Sequence, residues 1–246
     1  MRVLRNSIVT VSLLLAATTM PAPACGQDQG DIATNRPSFS FAPSVVAKNN
    51  WQGEFGYLWT RNNGGSNTQT LPNATVRYGM SHDTELQLDW VGYSTTNSGG
   101  GDGLTDVIIG VKWRLMEPSA ATQLSFLAGL SLPIGGNEVS SDSFDPRIGV
   151  AWSHASFFGT ALINSVDGNY SIDNGIGYGF SVAERQSMFV EHQMSIPESG
   201  STSHQVNVGW AWLQDSDHQW DVHGSVGLND SAPDYAIGMG YSLRFR

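Results

Sequence analysis

From residue 51 to the C-terminus, apolar and polar side chains alternate in segments of about ten residues separated by turn-forming clusters, the period-2 signature of β-strands with two different faces. "TLPNATVRYGMSHDTELQLDWVGYS", residues 70 to 94, shows it twice. Pro72, Ala74, Val76, Tyr78 and Met80 fall on one face of the first run, and Leu86, Leu88, Trp90 and Gly92 on the same face of the second. Behind them lie Arg77, Glu85, Gln87 and Asp89. The pattern predicts strands over 51–60, 70–80, 84–93, 104–115, 123–132, 146–153, 157–165, 172–183, 186–196, 203–213, 218–228 and 235–245. That is twelve, an even number, with little that reads as helix.

Connection lengths alternate as well. "SHD", "EPSAA", "HAS", "ERQ" and "DSDH" take turns with "RNNGGSNTQT", "STTNSGGGDG", "PIGGNEVSSDSFD", "SVDGNYS" and "NDSAPD". Short periplasmic turns and longer external loops are the pattern of bacterial outer-membrane barrels. The predicted fold is therefore all-β: a transmembrane up-and-down antiparallel β-barrel of about twelve strands, spanning residues 51–246. Closure has a physical cause, because a strand in lipid must satisfy every backbone N–H and C=O and an open edge cannot. The competing soluble fold, a β-sandwich, also alternates, but turns its apolar face to a core and calls for more uniform turns.

Tryptophan bears on this choice, since barrels carry aromatic girdles on the lipid face. Trp51, Trp59, Trp90, Trp113, Trp152, Trp210, Trp212 and Trp220 all take the apolar parity of their strands, and Phe245 ends the last one. Up-and-down order puts Trp59 and Trp90 toward the outer end and the other tryptophans toward the periplasm. The final "YAIGMGYSLRFR" resembles the C-terminal strand signal read by outer-membrane assembly machinery, with Arg246 following the usual terminal Phe.

The N-terminus reads as an address. Arg2 and Arg5 precede "SIVTVSLLLAATTM", and "PAPACGQ" supplies small residues for cleavage before Cys25, so residues 1–24 are expected to be a secretory signal peptide. Cys25 is an alternative lipidation site, although Ala-Pro-Ala replaces the usual Leu-Ala-Gly-like residues before it. No apolar run after residue 20 approaches the ~20 residues of a spanning helix. Loss of Arg2 and Arg5 takes the formal charge from -10 to -12, which argues against nucleic acid as a partner and suits a cell surface rich in divalent cations. The expected location is the bacterial outer membrane, and the expected partners are its lipid and lipopolysaccharide, the assembly machinery and small-molecule solutes.

Several stretches carry a family resemblance: "NRPSFSFAP" (35–43), "WQGEFGYLWTR" (51–61), residues 70–94, "GLTDVIIGVKWRL" (103–115) and "LAGLSLPIGG" (128–136). They resemble the outer-membrane transporter family named for the meta-cleavage pathway of phenol degradation. The resemblance covers nearly the whole mature chain and implies a barrel with a transport role. In that family the first motif commonly reads Thr-Asp-Arg-Pro, and here Asn35 stands where Asp would be.

A twelve-strand barrel tilted ~40° has a backbone diameter of roughly 24 Å, room for side chains and a narrow path or plug. Inward parity holds Glu54, Arg77, Glu85, Gln87, Asp89, Asp106, Lys112, Arg114, Arg147, Glu191, Asp221 and His223. Glu54, Arg77, Glu85, Asp89, Asp106, Lys112, Arg114, Arg147 and Glu191 are the pore-lining candidates. Glu54, Arg77, Glu85, Lys112 and Arg114 come from four consecutive strands and are expected at one depth near the periplasmic end. As a belt they either select solutes by size and charge or neutralise one another and brace the wall. Residues 25–50 form an N-terminal periplasmic segment or a plug.

Catalytic chemistry finds little support. His192 and His204 share outward parity on neighbouring strands, as some lipid-cleaving barrels require, but Ser203 has the wrong parity and no nucleophile motif is present. His82, His154 and His218 sit in short turns without metal-ligand spacing, and "GGGDG" lacks the Gly-Lys-Ser/Thr of a phosphate loop. No catalytic residue, metal or cofactor is expected. The expected function is a channel-like transporter allowing passive diffusion of small solutes, aromatic or amphipathic ones among them. The alternative is a non-conducting structural or surface-interaction barrel.

Overall fold

The computed structural model describes residues 30–98 and 100–245. The expected signal over 1–24 and Cys25 lie outside the described residues. Thirteen strands follow one another: β1 (Trp51–Arg61), β2 (Asn67–Gly79), β3 (Thr84–Thr96), β4 (Asp102–Leu104), β5 (Val107–Arg114), β6 (Thr122–Leu132), β7 (Asp145–His154), β8 (Phe157–Val166), β9 (Asn169–Ala183), β10 (Gln186–Pro197), β11 (Ser203–Leu213), β12 (His218–Gly227) and β13 (Tyr235–Phe245). Each pairs antiparallel with its neighbours, and β1 pairs with β13 from Trp51↔Phe245 to Arg61↔Tyr235. The sheet is thus a ring without an edge.

β4 and β5 both pair with β3, one above the other, Tyr93↔Leu104 followed by Trp90↔Val107. They are two pieces of a single stave, so the barrel has twelve staves, as the alternation predicts. Thr105 and Asp106 interrupt the stave that the sequence pattern draws as continuous over 104–115.

Burial is inverted relative to a water-soluble fold. The largest fully buried side chains are Arg77, Lys112, Gln52, Glu54, Glu85, Glu191, Asn207 and Asp221. Leu86, Ile109, Trp113, Ile163, Ile176, Val208, Ile237 and Met239 are exposed. A sandwich would bury the second set. A lipid-facing barrel exposes it to acyl chains and pairs polar groups inside, because water is lacking on the outside. Aromatic contacts reinforce the periplasmic rim, where Trp51 meets Tyr78 with ring centroids 4.6 Å apart and Trp220 meets Tyr241 at 4.5 Å.

Three local features depart from the sequence pattern. Leu71, Val91 and Tyr93 are exposed while Gly92 is buried, so Pro72 and Gly92 do not share the lipid face with Ala74 and Leu88. The cause is backbone: Asn73 (φ 37°) and Gly92 (φ 94°) adopt left-handed conformations that break the two-residue period. Trp90 stands midway along β3 rather than at its outer end, with its indole N–H donating to Thr105 O at 3.1 Å. Finally, "SVDGNYS" is no long loop. β8 and β9 run up to Val166↔Asn169, and Asp167-Gly168, with φ of 50° and 75°, makes a two-residue turn of the type that matches strand twist.

Candidate functional site

The lumen is occupied by the chain's own residues 30–50, which bond to the wall from several sides. Glu54 on β1 accepts the backbone N–H groups of Asn35 (2.9 Å) and Arg36 (3.0 Å). Glu191 on β10 accepts from Phe39 N (2.9 Å), Ser40 N (2.9 Å) and the Ser38 hydroxyl (3.0 Å). Glu85 on β3 accepts from Val46 N at 2.6 Å, and Thr160 on β8 from Phe41 N at 2.8 Å. In the other direction Arg77 donates to Ala33 O and Ser44 O, Asn207 to Pro37 O, and Arg244 to Gly30 O. An irregular segment has no ladder of its own, so inward carboxylates and amides supply the partners that its backbone requires.

Charges join this scaffold. Arg77 bridges Glu54 (3.1 Å) and Glu85 (2.9 Å), and Lys112 reaches Glu85 at 3.2 Å. Two carboxylates and two cations form a neutral cluster, and all four side chains are essentially inaccessible. Asn35 Oδ1 accepts from Lys112 Nζ at 3.4 Å and from Ala42 N at 3.1 Å. Two strands from β1, Asp221 on β12 pairs with Arg36 at 3.1 Å. Glycines make space for the segment: a Cβ on Gly56 or Gly240 would meet the Arg36 guanidinium, and one on Gly79 would lie 2.1 Å from Ala47 O.

The expected belt therefore forms from Glu54, Arg77, Glu85 and Lys112, and Arg114 does not join it. Arg114 turns downward to Asp83 (2.6 Å) and His82 O (2.5 Å) in the β2–β3 turn, being one residue pair closer to the rim than Lys112. Asp89 pairs with Arg147, which lies over the Phe41 ring at 5.3 Å. Glu191 binds the segment, and Asp106 faces loop 133–144, accepting from Gly135 N, Ser140 Oγ and Ser141 N. Trp51, Trp113, Trp212, Trp220 and Phe245 are exposed on the outer surface, and Trp59, Trp90, Trp152 and Trp210 are half-buried there.

Above the segment, in the outer half of the barrel, is a cavity of about 630 Å³. Phe39 contributes from the segment, Ile108, Arg147, Leu162 and Asp173 from the wall, and Val139 and Ser140 from the longest loop. Pattern reading could not find this cavity, because its floor belongs to a segment without periodicity.

The histidines are placed as follows. His204 Nδ1 and His192 Nε2 lie 3.3 Å apart at an exposed site. His154 contacts Thr122 Oγ1, and His218 contacts Asp215, whose carboxylate is held below the usual range by the Asp217 backbone N–H and by His218. Among the described residues no group of His, Cys, Asp or Glu has the arrangement of a metal site.

A closed ring with an apolar exterior, an aromatic rim and a charged, partly filled interior defines an outer-membrane β-barrel with a channel-like fold, located in the outer membrane of Gram-negative bacteria. The chain belongs to the family described as "Putative MetA-pathway of phenol degradation", whose model matches residues 34–245. Among solved structures it is similar to an outer membrane channel from Pseudomonas putida F1, with a TM-score of 0.60 at 12% identity over 85% of this chain and 100% of that one. It is also similar to KdgM porin (TM-score 0.51, 10% identity, 78% and 99% covered) and NanC porin (0.50, 8%, 78% and 98%). A search of curated proteins finds no match.

Proposed function

We propose that this barrel is a transporter admitting small solutes by passive diffusion, aromatic and amphipathic ones among them, and that residues 30–50 act as a plug on the periplasmic side. The observation that carries this reading is the stacking of a cavity of about 630 Å³ on a segment tied to the wall by hydrogen bonds. Ile108, Leu162 and Phe39 beside Asp173 and Arg147 give the cavity both apolar and charged surface, which suits an amphipathic solute. The channel fold of the solved relatives supports a transport role, and the family's description points toward aromatic compounds without naming the solute.

Liposome swelling with a panel of sugars, amino acids and aromatic acids tests the reading, with swelling ordered by size or charge as the expected result. Planar-bilayer recording tests the plug: deletion of residues 28–46 is expected to raise single-channel conductance, and unchanged conductance would count against it. The neutral Glu54–Arg77–Glu85–Lys112 cluster favours one second reading, a braced, non-conducting structural or surface-interaction barrel. Absence of both current steps and solute uptake would select it. We read the protein as a non-enzyme, and lipid hydrolysis that is lost in His192→Ala would overturn this.

A further inference from the structure

The outer cavity carries an unbalanced charge. Three carboxylates line it, Asp106, Asp145 and Asp173, against one cation, Arg147, which is already engaged by Asp89. The partners of the three are neutral. Asp106 accepts from Gly135 N, Ser140 Oγ and both the N–H and Oγ of Ser141. Asp145 accepts from Ser143 Oγ and Asp167 N, and Asp173 from Asn164 Nδ2 and Ser195 Oγ. Neutral donors hold a carboxylate in its ionised form without cancelling its charge.

The base of the cavity adds an independent observation. Gly175 belongs to the cavity wall, and a Cβ built on it would lie 2.4 Å from Ser40 Oγ and 3.0 Å from Glu191 Oε1. Ser40 is buried, at 3% exposure, and its hydroxyl oxygen has no hydrogen-bond partner among the described residues. The Glu191 carboxylate beside it is bound by two backbone N–H groups and the Ser38 hydroxyl, again without a cation among the described residues. An unfilled hydroxyl and an unneutralised carboxylate thus stand together against Gly175, next to the cavity, whose lining includes Gly175 and the Phe39 ring.

We propose that this cavity is a cation-selecting vestibule that binds amphipathic organic ammonium ions, their charge among Asp173, Asp145 and Asp106 and their apolar body against Phe39 and Leu162. Low-dielectric walls lined by one sign of charge focus the field and raise the local concentration of counter-ions. A carboxylate-bearing solute of the same shape meets the opposite field. The proposal names the solute class for the transport reading above and rests on that reading for its biological role, whereas binding itself is measurable without flux.

The test is isothermal titration of the full chain, folded in detergent at low salt, with phenethylammonium, phenethyl alcohol and phenylacetate. Phenethylammonium is expected to bind about ten-fold more tightly than phenylacetate, with the alcohol between them, and the difference should shrink as salt rises. Asp173→Asn should weaken ammonium binding about five-fold or more and leave the alcohol unchanged, whereas Glu117→Gln, in the loop between β5 and β6, should change neither. Equal or tighter binding of phenylacetate, no measurable ammonium binding, or an Asp173→Asn variant indistinguishable from the parent would each overturn the proposal. Ammonium binding without liposome swelling would defeat the transport reading and leave the vestibule standing. Swelling with no preference among the three probes would do the reverse.

Discussion

Arg77 shows how much one inward side chain does in this barrel. Its guanidinium bonds to Glu54, Glu85, Ala33 O and Ser44 O, tying β1, β2, β3 and two points of the luminal segment together. Arg77→Ala would leave two buried carboxylates with only Lys112 for compensation, and breaking such a pair typically costs about 3–5 kcal/mol. Urea unfolding of the refolded protein in lipid vesicles should register that loss. Asn35 offers the opposite case. Its Nδ2 is buried without a partner among the described residues while its Oδ1 faces Lys112, so Asn35→Asp replaces an unsatisfied donor with an acceptor beside a cation. The expected result is a gain of about 1 kcal/mol in the same unfolding assay. Arg77, Glu85 and Lys112 were legible from the sequence because opposite charges recur at inward parity on adjacent strands. The second partners of Arg77 and Lys112, backbone carbonyls of residues 33 and 44, were not, and neither was the Val46 N–H on Glu85, because a backbone group carries no residue-type signal.

Among the strands, two-residue alternation located every stave, and the reversal of faces around Pro72 and Gly92 has a backbone origin. The period assumes extended φ/ψ, and Asn73 and Gly92 depart from it. Gly92 was visible as a residue but not as a reversal of faces, because glycine sits silently on either side. The Asp167-Gly168 pair was a recognisable hairpin turn, but counting polar residues as loop hid the strands that continue beyond the apolar band. Gly168 has open space around it and a φ of 75°, so Gly168→Val should destabilise the β8–β9 hairpin through conformation, by about 1–2 kcal/mol. Hydrogen exchange at Val166 and Asn169 is the direct measure, with faster exchange expected there and unchanged protection in β1 and β13.

For the molecule as a whole, the ring and its inside-out burial followed from alternation and turn lengths, whereas the filled lumen did not. Residues 30–50 have no period to read, and their place is set by carboxylates contributed by β1, β3 and β10. The seam between β1 and β13 also governs how the protein comes into being. Trp51 and Phe245 are neighbours in space but roughly two hundred residues apart in the chain, and closing a loop of that length costs about 5 kcal/mol of chain entropy. Nothing synthesised before β13 can repay this, so an incomplete chain keeps two open edges that lipid does not tolerate. Removal of residues 235–245 is accordingly expected to abolish membrane insertion, measured as loss of protease-resistant barrel, rather than to yield a smaller pore. Assembly is then a single late commitment: the chain must be kept soluble until its last strand arrives, and the segment that fills the lumen is enclosed by the same event that makes the wall continuous.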